Sequence, residues 1–351
     1  MPTDPGAAPG GARGAPPKAL AEPEPGRLAA ATALARRTPP RARWRNVRAG
    51  TAGWTDPTLT SSGLFYPPSA VSAAARLGFY ASAFSLVEVD ATYYTLLPPS
   101  TAEKWLAASA GDFVFDVKAH PVLTGHPIDV GRLPSDLRAE LERAGAPRRV
   151  YPERLPRALS SEIEARFRAL VRVLHDARRL GCVMLQLPPW VTATRGAARR
   201  LEAIAERWSE LPLAVEFRHP SWLADERRER VFELLARRRL TYVGVDEPDV
   251  KGGGVPPVVR VTREELAVVR FHGHNVAGWR PGASVTERFD YLYAPRELDA
   301  WQDRVRRLSA EAREVHVVFN NCVRNYAVLG AQGLAALLAA PGAGGAQPED
   351  P

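Results

Sequence analysis

The stretch LAVEFRH, residues 213–219, carries the signature on which the fold turns. Leu213, Val215 and Phe217 alternate with Ala214, Glu216 and Arg218, so the two charges share one face of a strand whose other face is apolar. Both charges sit at the C-terminal end of the run. A strand of a helix-covered parallel sheet is apolar on both faces until it reaches that end. Seven further runs have this character: VRAGTAGW (47–54), LVEVDATYY (86–94), FVFDVKAH (113–120), CVMLQLPP (182–189), TYVGVDE (241–247), LAVVRFHG (266–273) and EVHVVFNN (314–321). Helical patterns separate most of them. One covers 69–82 and opens on Ser69, and a second opens on Ser100-Thr101-Ala102-Glu103, a capping box. Others cover 160–180, 196–209, 225–238, 295–310 and 325–339. Only the link from Glu247 to Glu265 lacks one. Eight strands alternating with seven helices predict a single α/β domain, a (β/α)8 TIM-like barrel with one missing helix. No GxGxxG follows any strand, so a dinucleotide-binding sheet has no support. The segment Pro121–Pro156 exceeds an ordinary barrel loop and is expected as an insertion after the third strand, with a short helix at 134–144.

Composition sets the limits of this reading. Of 351 residues, 45% are apolar and 25% charged, enough for a full core. No run approaches the ~18 apolar residues of a membrane span, and Cys182 and Cys322 stand in no CxxC or CxxH cluster. A membrane channel, a disulfide scaffold and a zinc finger are therefore excluded. The net charge is +8, yet residues 1–46 hold eight Lys/Arg against three acids, leaving +3 for the remainder. That Pro/Ala/Gly-rich segment is expected to be a disordered extension, 47–340 the barrel domain and 341–351 a second disordered tail. A cytoplasmic location is expected, with no membrane contact and only weak nucleic-acid contact through the basic arm. Nothing in the pattern names a cofactor or sets an oligomeric state.

The strand ends are polar throughout. Glu88 and Asp90, Lys118 and His120, Gln186, Glu216 and Arg218, Asp246, Arg270 and His272, and Asn320-Asn321 all stand there. Spacing of two puts each pair on one face, and the interleaved valines and phenylalanines suit the helix-packing face, so the charged set is expected to point inward at the barrel mouth. A structural ion pair is a second reading of Glu216 and Arg218.

Several of these runs, with others, occur in a fixed order: GTAGW (50–54), LFYPP (64–68), VEVDATYYTLLPPSTAEKW (87–105), FDVKAHPVLTGH (115–126), LQLPP (185–189), AVEFRHPSW (214–222), VRFHGHN (269–275) and VFNN (318–321). Together they resemble domain-of-unknown-function family seventy-two, also called YecE-like, over about residues 47–335. The resemblance implies a TIM-like barrel and supplies no reaction. Where the family has an HGRN-like segment, this chain has His272-Gly273-His274-Asn275, an imidazole in place of a guanidinium.

The residue types suggest acid–base chemistry on a small anionic or phosphorylated substrate. Lys118, Arg218 and Arg270 would hold the anion. Glu88 or Glu216 would be the base and His272 the acid or relay. Trp54, Tyr93, Gln186, Asp246, Asn275 and Asn320 complete the expected binding set. Two alternatives stay open. One is a metal-dependent hydrolase or isomerase using Glu88, Glu216, Asp246 and His272, although three nearby cations oppose a metal and no metal ligand is assigned. The other is a protein without turnover that binds a ligand or a nucleic-acid end through the mouth, helped by the basic tail.

Overall fold

A computed structural model describes residues 23–250, 254–280 and 282–341. Eight strands close into a parallel barrel: β1 Val47–Ala52, β2 Leu86–Val89, β3 Val114–Lys118, β4 Leu180–Gln186, β5 Leu213–Glu216, β6 Leu240–Asp246, β7 Ala267–Phe271 and β8 Val315–Phe319. Each pairs in parallel with the next, and β8 pairs with β1, Val315 opposite Val47. Every predicted strand is present, and each ends before the C-terminal limit of its predicted run because the polar ends pass into loops.

The longer helices are α1 Pro25–Ala35, α2 Ala73–Ala83, α3 Pro99–Ala108, α4 Ser135–Arg143, α5 Arg157–Asp176, α6 Arg195–Arg207, α7 Asp225–Arg237, α8 Gln302–Glu311 and α9 Tyr326–Ala339. In α5 Leu159, Ile163, Phe167, Leu170, Val171 and Leu174 are buried, three or four apart, the stripe that seats a helix on a sheet. Among the described residues no helix joins β6 to β7, as expected. Helix α4 lies in the insertion, beside a short antiparallel pairing of Ile128 with Val150. Two capping expectations are corrected. Ser72, not Ser69, caps α2 by accepting from the Ala75 amide, and α3 opens on Pro98-Pro99 with no side-chain cap, because proline already presets the first turn. The pattern at 295–310 breaks into Pro295–Asp299 and α8. No helix of the described residues is long and apolar enough to cross a membrane.

The expected disorder of residues 1–46 is corrected for its second half. Residues 1–22 lie outside the described residues, as does most of the 341–351 tail, but Pro25–Ala35 is a helix on the barrel. Its alanines favour helix intrinsically. Ala31 and Ala35 are buried with Leu292, Val323, Tyr326 and Leu329, and Leu34 packs over Gly333 of α9. Arg27 pairs with Glu297 at 2.6 Å and Arg41 with Asp112 at 2.5 Å, so part of the basic arm is spent on the barrel itself. Leu34→Ala is expected to cost about 2–3 kcal/mol, read as a lower urea midpoint, because the small residues opposite cannot close the cavity. A midpoint equal to wild type would show that α1 is not part of the folded unit.

Candidate active site at the barrel mouth

Strand parity delivers the charged residues to the interior, and strand tilt decides which of them meet. Arg270 on β7 is fully buried. Its Nε and Nη2 donate to the two carboxylate oxygens of Glu88 on β2 at 2.8 and 2.7 Å. Its Nη1 donates to Glu216 on β5 and, at 3.4 Å, to Gln186 on β4. Glu216 also pairs with Arg218 at 3.0 Å, and Arg218 with Glu247 at 3.0 Å. One arginine thus joins strands from opposite sides of the barrel.

His272 is enclosed at both ring nitrogens. Asn320 Nδ2 donates to Nδ1 at 3.1 Å, and Nε2–H donates to Glu216 at 3.3 Å. Burial holds the imidazole near a pKa of about 3 against the pull of Glu216, so it stays neutral. Neither nitrogen is free for a substrate proton, which makes His272 a positioning residue for Glu216. Arg270, His272 and Arg218 together hold the Glu216 carboxyl well below the usual range despite its burial. Glu88, Asp90 and Glu247 go the other way: burial raises each, with Arg270 opposing at Glu88, Lys118 at Asp90 and Arg218 at Glu247.

Above this layer the mouth is partly open. Asp90, Lys118, Gln186 and Asn320 are each partly exposed. The Lys118 ammonium lies 4.5 Å from the centre of the Tyr93 ring, and its backbone carbonyl accepts from Thr92 Oγ1 at 2.7 Å. His126 stands between Tyr93 and Trp190, 5.3 and 5.8 Å ring to ring. Arg218 and Arg288 flank the indole of Trp279 at 4.9 and 5.6 Å. Arg288 Nε and Trp279 Nε1 are buried and have no acceptor among the described residues.

Three expected binding residues lie elsewhere. Asp246 is in register with Phe271, whose ring packs under the helices against Trp301. Asp246 therefore faces outward, accepting from Tyr293 Oη at 2.6 Å and pairing with His274 at 2.8 Å. Its successor Glu247 takes the inward position, because alternation runs one residue past the strand end. Trp54 is buried, edge-on to Trp105 at 5.7 Å, with Nε1 on Ala73 O at 3.3 Å. Asn275 pins its own loop, donating to Glu287 O at 2.6 Å. With Asp246 turned outward and both Glu88 and Glu216 taken by Arg270, the metal-ligand set considered from sequence does not converge. Among the described residues no three His, Cys, Asp or Glu form a group able to hold a metal ion. The sequence reading also missed Asp116 and His316, which meet across the interior, Nδ1 at 3.0 Å from both carboxylate oxygens. Their parity with Lys118 and Asn320 was the available signal. Gly181 is required there, since a Cβ would collide with the Asp116 carboxylate.

A closed parallel barrel with a buried charge network below its C-terminal mouth defines an α/β-barrel protein with a polar candidate site at that mouth. The chain belongs to the DUF72 family: the family described as "Protein of unknown function DUF72" matches residues 48–351. It is 31% identical over 276 residues to the UPF0759 protein YunF of Bacillus subtilis strain 168, across 78% of this chain and 87% of that one. Among solved structures it is similar to a DUF72 family protein of Thermotoga maritima MSB8, with 28% identity and a TM-score of 0.65 over 83% of this chain and 98% of that one. A DUF72 family protein of Enterococcus faecalis V583 shares the fold at 23% identity, with a TM-score of 0.67 over 86% and 100%.

Proposed function

We propose that the barrel mouth is the active site of an enzyme that moves protons on a small anionic substrate. The observation that carries this reading is the pair of unsatisfied donors, Arg288 Nε and Trp279 Nε1, beside Arg218 on the rim of a mouth that also holds Lys118. Donors without acceptors among the described residues, beside a second guanidinium, favour a carboxylate or phosphate. The carboxylates of the site are held apart in acidity, Glu216 low and Glu88 and Asp90 high. Such a split is the usual basis for dividing charge stabilisation from proton transfer. Asp90, raised and partly exposed, is the accessible base, with Glu88 behind it. Arg270 does not hold the anion, because its donors are already committed to Glu88, Glu216 and Gln186.

Inorganic phosphate or a small dicarboxylate is expected to raise the melting temperature and to give a titratable heat. Arg288→Gln, which removes the charge, is expected to weaken that binding about tenfold, the ~1.5 kcal/mol of a charge-assisted hydrogen bond, without lowering the ligand-free melting temperature. The reading fails if no small anion binds at millimolar concentration, or if Arg288→Gln binds as wild type does.

A further inference from the structure

The chain uses 43 arginines and four lysines: Lys18, Lys104, Lys118 and Lys251. Wherever a buried cation is needed for charge alone, it uses arginine: Arg48, Arg179, Arg218 and Arg270. Lys118 is the exception. It ends β3 at the mouth, partly buried, with its ammonium against the Tyr93 ring and no ion pair among the described residues. A guanidinium would serve as well for holding an anion, and better for a bidentate one. What lysine offers and arginine does not is an amine that can lose its proton and act as a nucleophile.

We propose that Lys118 is the nucleophile of this site and that its partner is the carbonyl carbon of an anionic aldehyde or ketone, a 2-oxo acid being the simplest class. This rests on the anionic-substrate reading above and adds the reacting group. The ammonium gives one proton to Asp90 or Glu88. The free amine adds to the carbonyl carbon, and the C=O π pair moves to oxygen. A second proton passes from nitrogen to that oxygen. The carboxylic acid then returns its proton to the hydroxyl, which leaves as water while the nitrogen lone pair closes the protonated imine. An ammonium and a carbonyl become an iminium and one water, with no change of oxidation state. The surroundings suit each step. Burial, first, and the neighbouring Arg270 charge push the Lys118 ammonium below the ordinary lysine range, while Glu88 and Asp90 pull the other way. Thr92 pins the strand end that carries it.

The test uses the full chain with glyoxylate and sodium cyanoborohydride at pH 7, followed by peptide mass mapping. A reduced adduct is expected on Lys118, formed at least tenfold faster than on the exposed Lys104. The rate at Lys118 is expected to hold as pH falls from 9 to 7, whereas that at Lys104 drops steeply. Excess inorganic phosphate should slow the reaction at Lys118 alone. Lys118→Arg should keep the phosphate-induced rise in melting temperature and lose the adduct. Equal labelling of Lys104 and Lys118, or no adduct on Lys118, overturns the imine inference. If phosphate still binds in that case, the anionic site stands without it. If Lys118 is labelled selectively and phosphate neither binds nor protects, the imine chemistry stands and the anion reading falls.

Discussion

Arg270→Met is expected to destabilise the barrel by about 3–5 kcal/mol, a large share of the stability of an ordinary domain. The side chain has no exposure, and it neutralises two carboxylates that have almost none either. Removing the guanidinium leaves Glu88 with no salt-bridge partner among the described residues and only the Lys118 charge to oppose its own, while Glu216 keeps Arg218 and His272. An uncompensated buried charge is what makes such a deletion costly. The pair as a whole contributes much less, because desolvation offsets most of its Coulomb attraction. The double variant Arg270→Met with Glu88→Gln is therefore expected to recover part of the loss. Arg270→Lys should fall between, since one ammonium cannot span the bidentate contact to Glu88 and also reach Glu216. Urea unfolding at pH 7 measures all three. Wild-type stability in Arg270→Met would mean that the network does not support the interior, and the site would have to be rebuilt on other residues.

Acidification is expected to have a second large effect. Burial lowers His126 and His272 to pKa values of about 3 and His120 to about 4. Between pH 6.5 and those values the unfolded chain takes up protons at these positions and the folded chain does not, so stability falls as pH falls. The slope is about 1.4 kcal/mol per pH unit for each histidine. From pH 6.5, where the unfolded imidazole is already half protonated, to pH 5 that amounts to about 1.6 kcal/mol each. Glu88, Asp90 and Glu247 oppose this, because their raised folded values let the native state bind protons first. His274, raised by its bond to Asp246, also gains stability on acidification. A variant isolates the histidine contribution from these. His126 bonds to Thr124 at 2.8 Å, and glutamine can keep a polar group there without titrating. His126→Gln is expected to lose about 1.6 kcal/mol less than wild type between pH 6.5 and 5, measured by urea unfolding at both values. An identical pH dependence in the two proteins would mean that His126 is protonated in the folded state.

Much of the fold was legible because its signals are local. Alternation of period two marks Leu213 to Glu216 as a strand wherever it sits, and the stripe from Leu159 to Leu174 marks a helix. Helix α1 was not legible. Its only signal is alanine content inside a Pro- and Arg-rich stretch, and what holds it is a surface of α9 almost 300 residues away in the chain. At the mouth, parity indicated the inward placement of Glu88, Lys118, Glu216 and Arg270. It misled at Asp246, where the charged pair Asp246-Glu247 straddles the end of the strand and the inward member is the second.

The eight strands, their parallel order and the gathering of charge at one end all follow from the periodicity of a few neighbouring residues. Which atoms of those charges meet depends on how the barrel closes. Arg270 reaches Glu88 on one side and Glu216 on the other because the strands tilt and stagger as the sheet closes, and that stagger belongs to the whole barrel. The same closure turned an expected anion-holding arginine into the centre of the interior network. It left Lys118 at the mouth as a cation with no ion pair among the described residues.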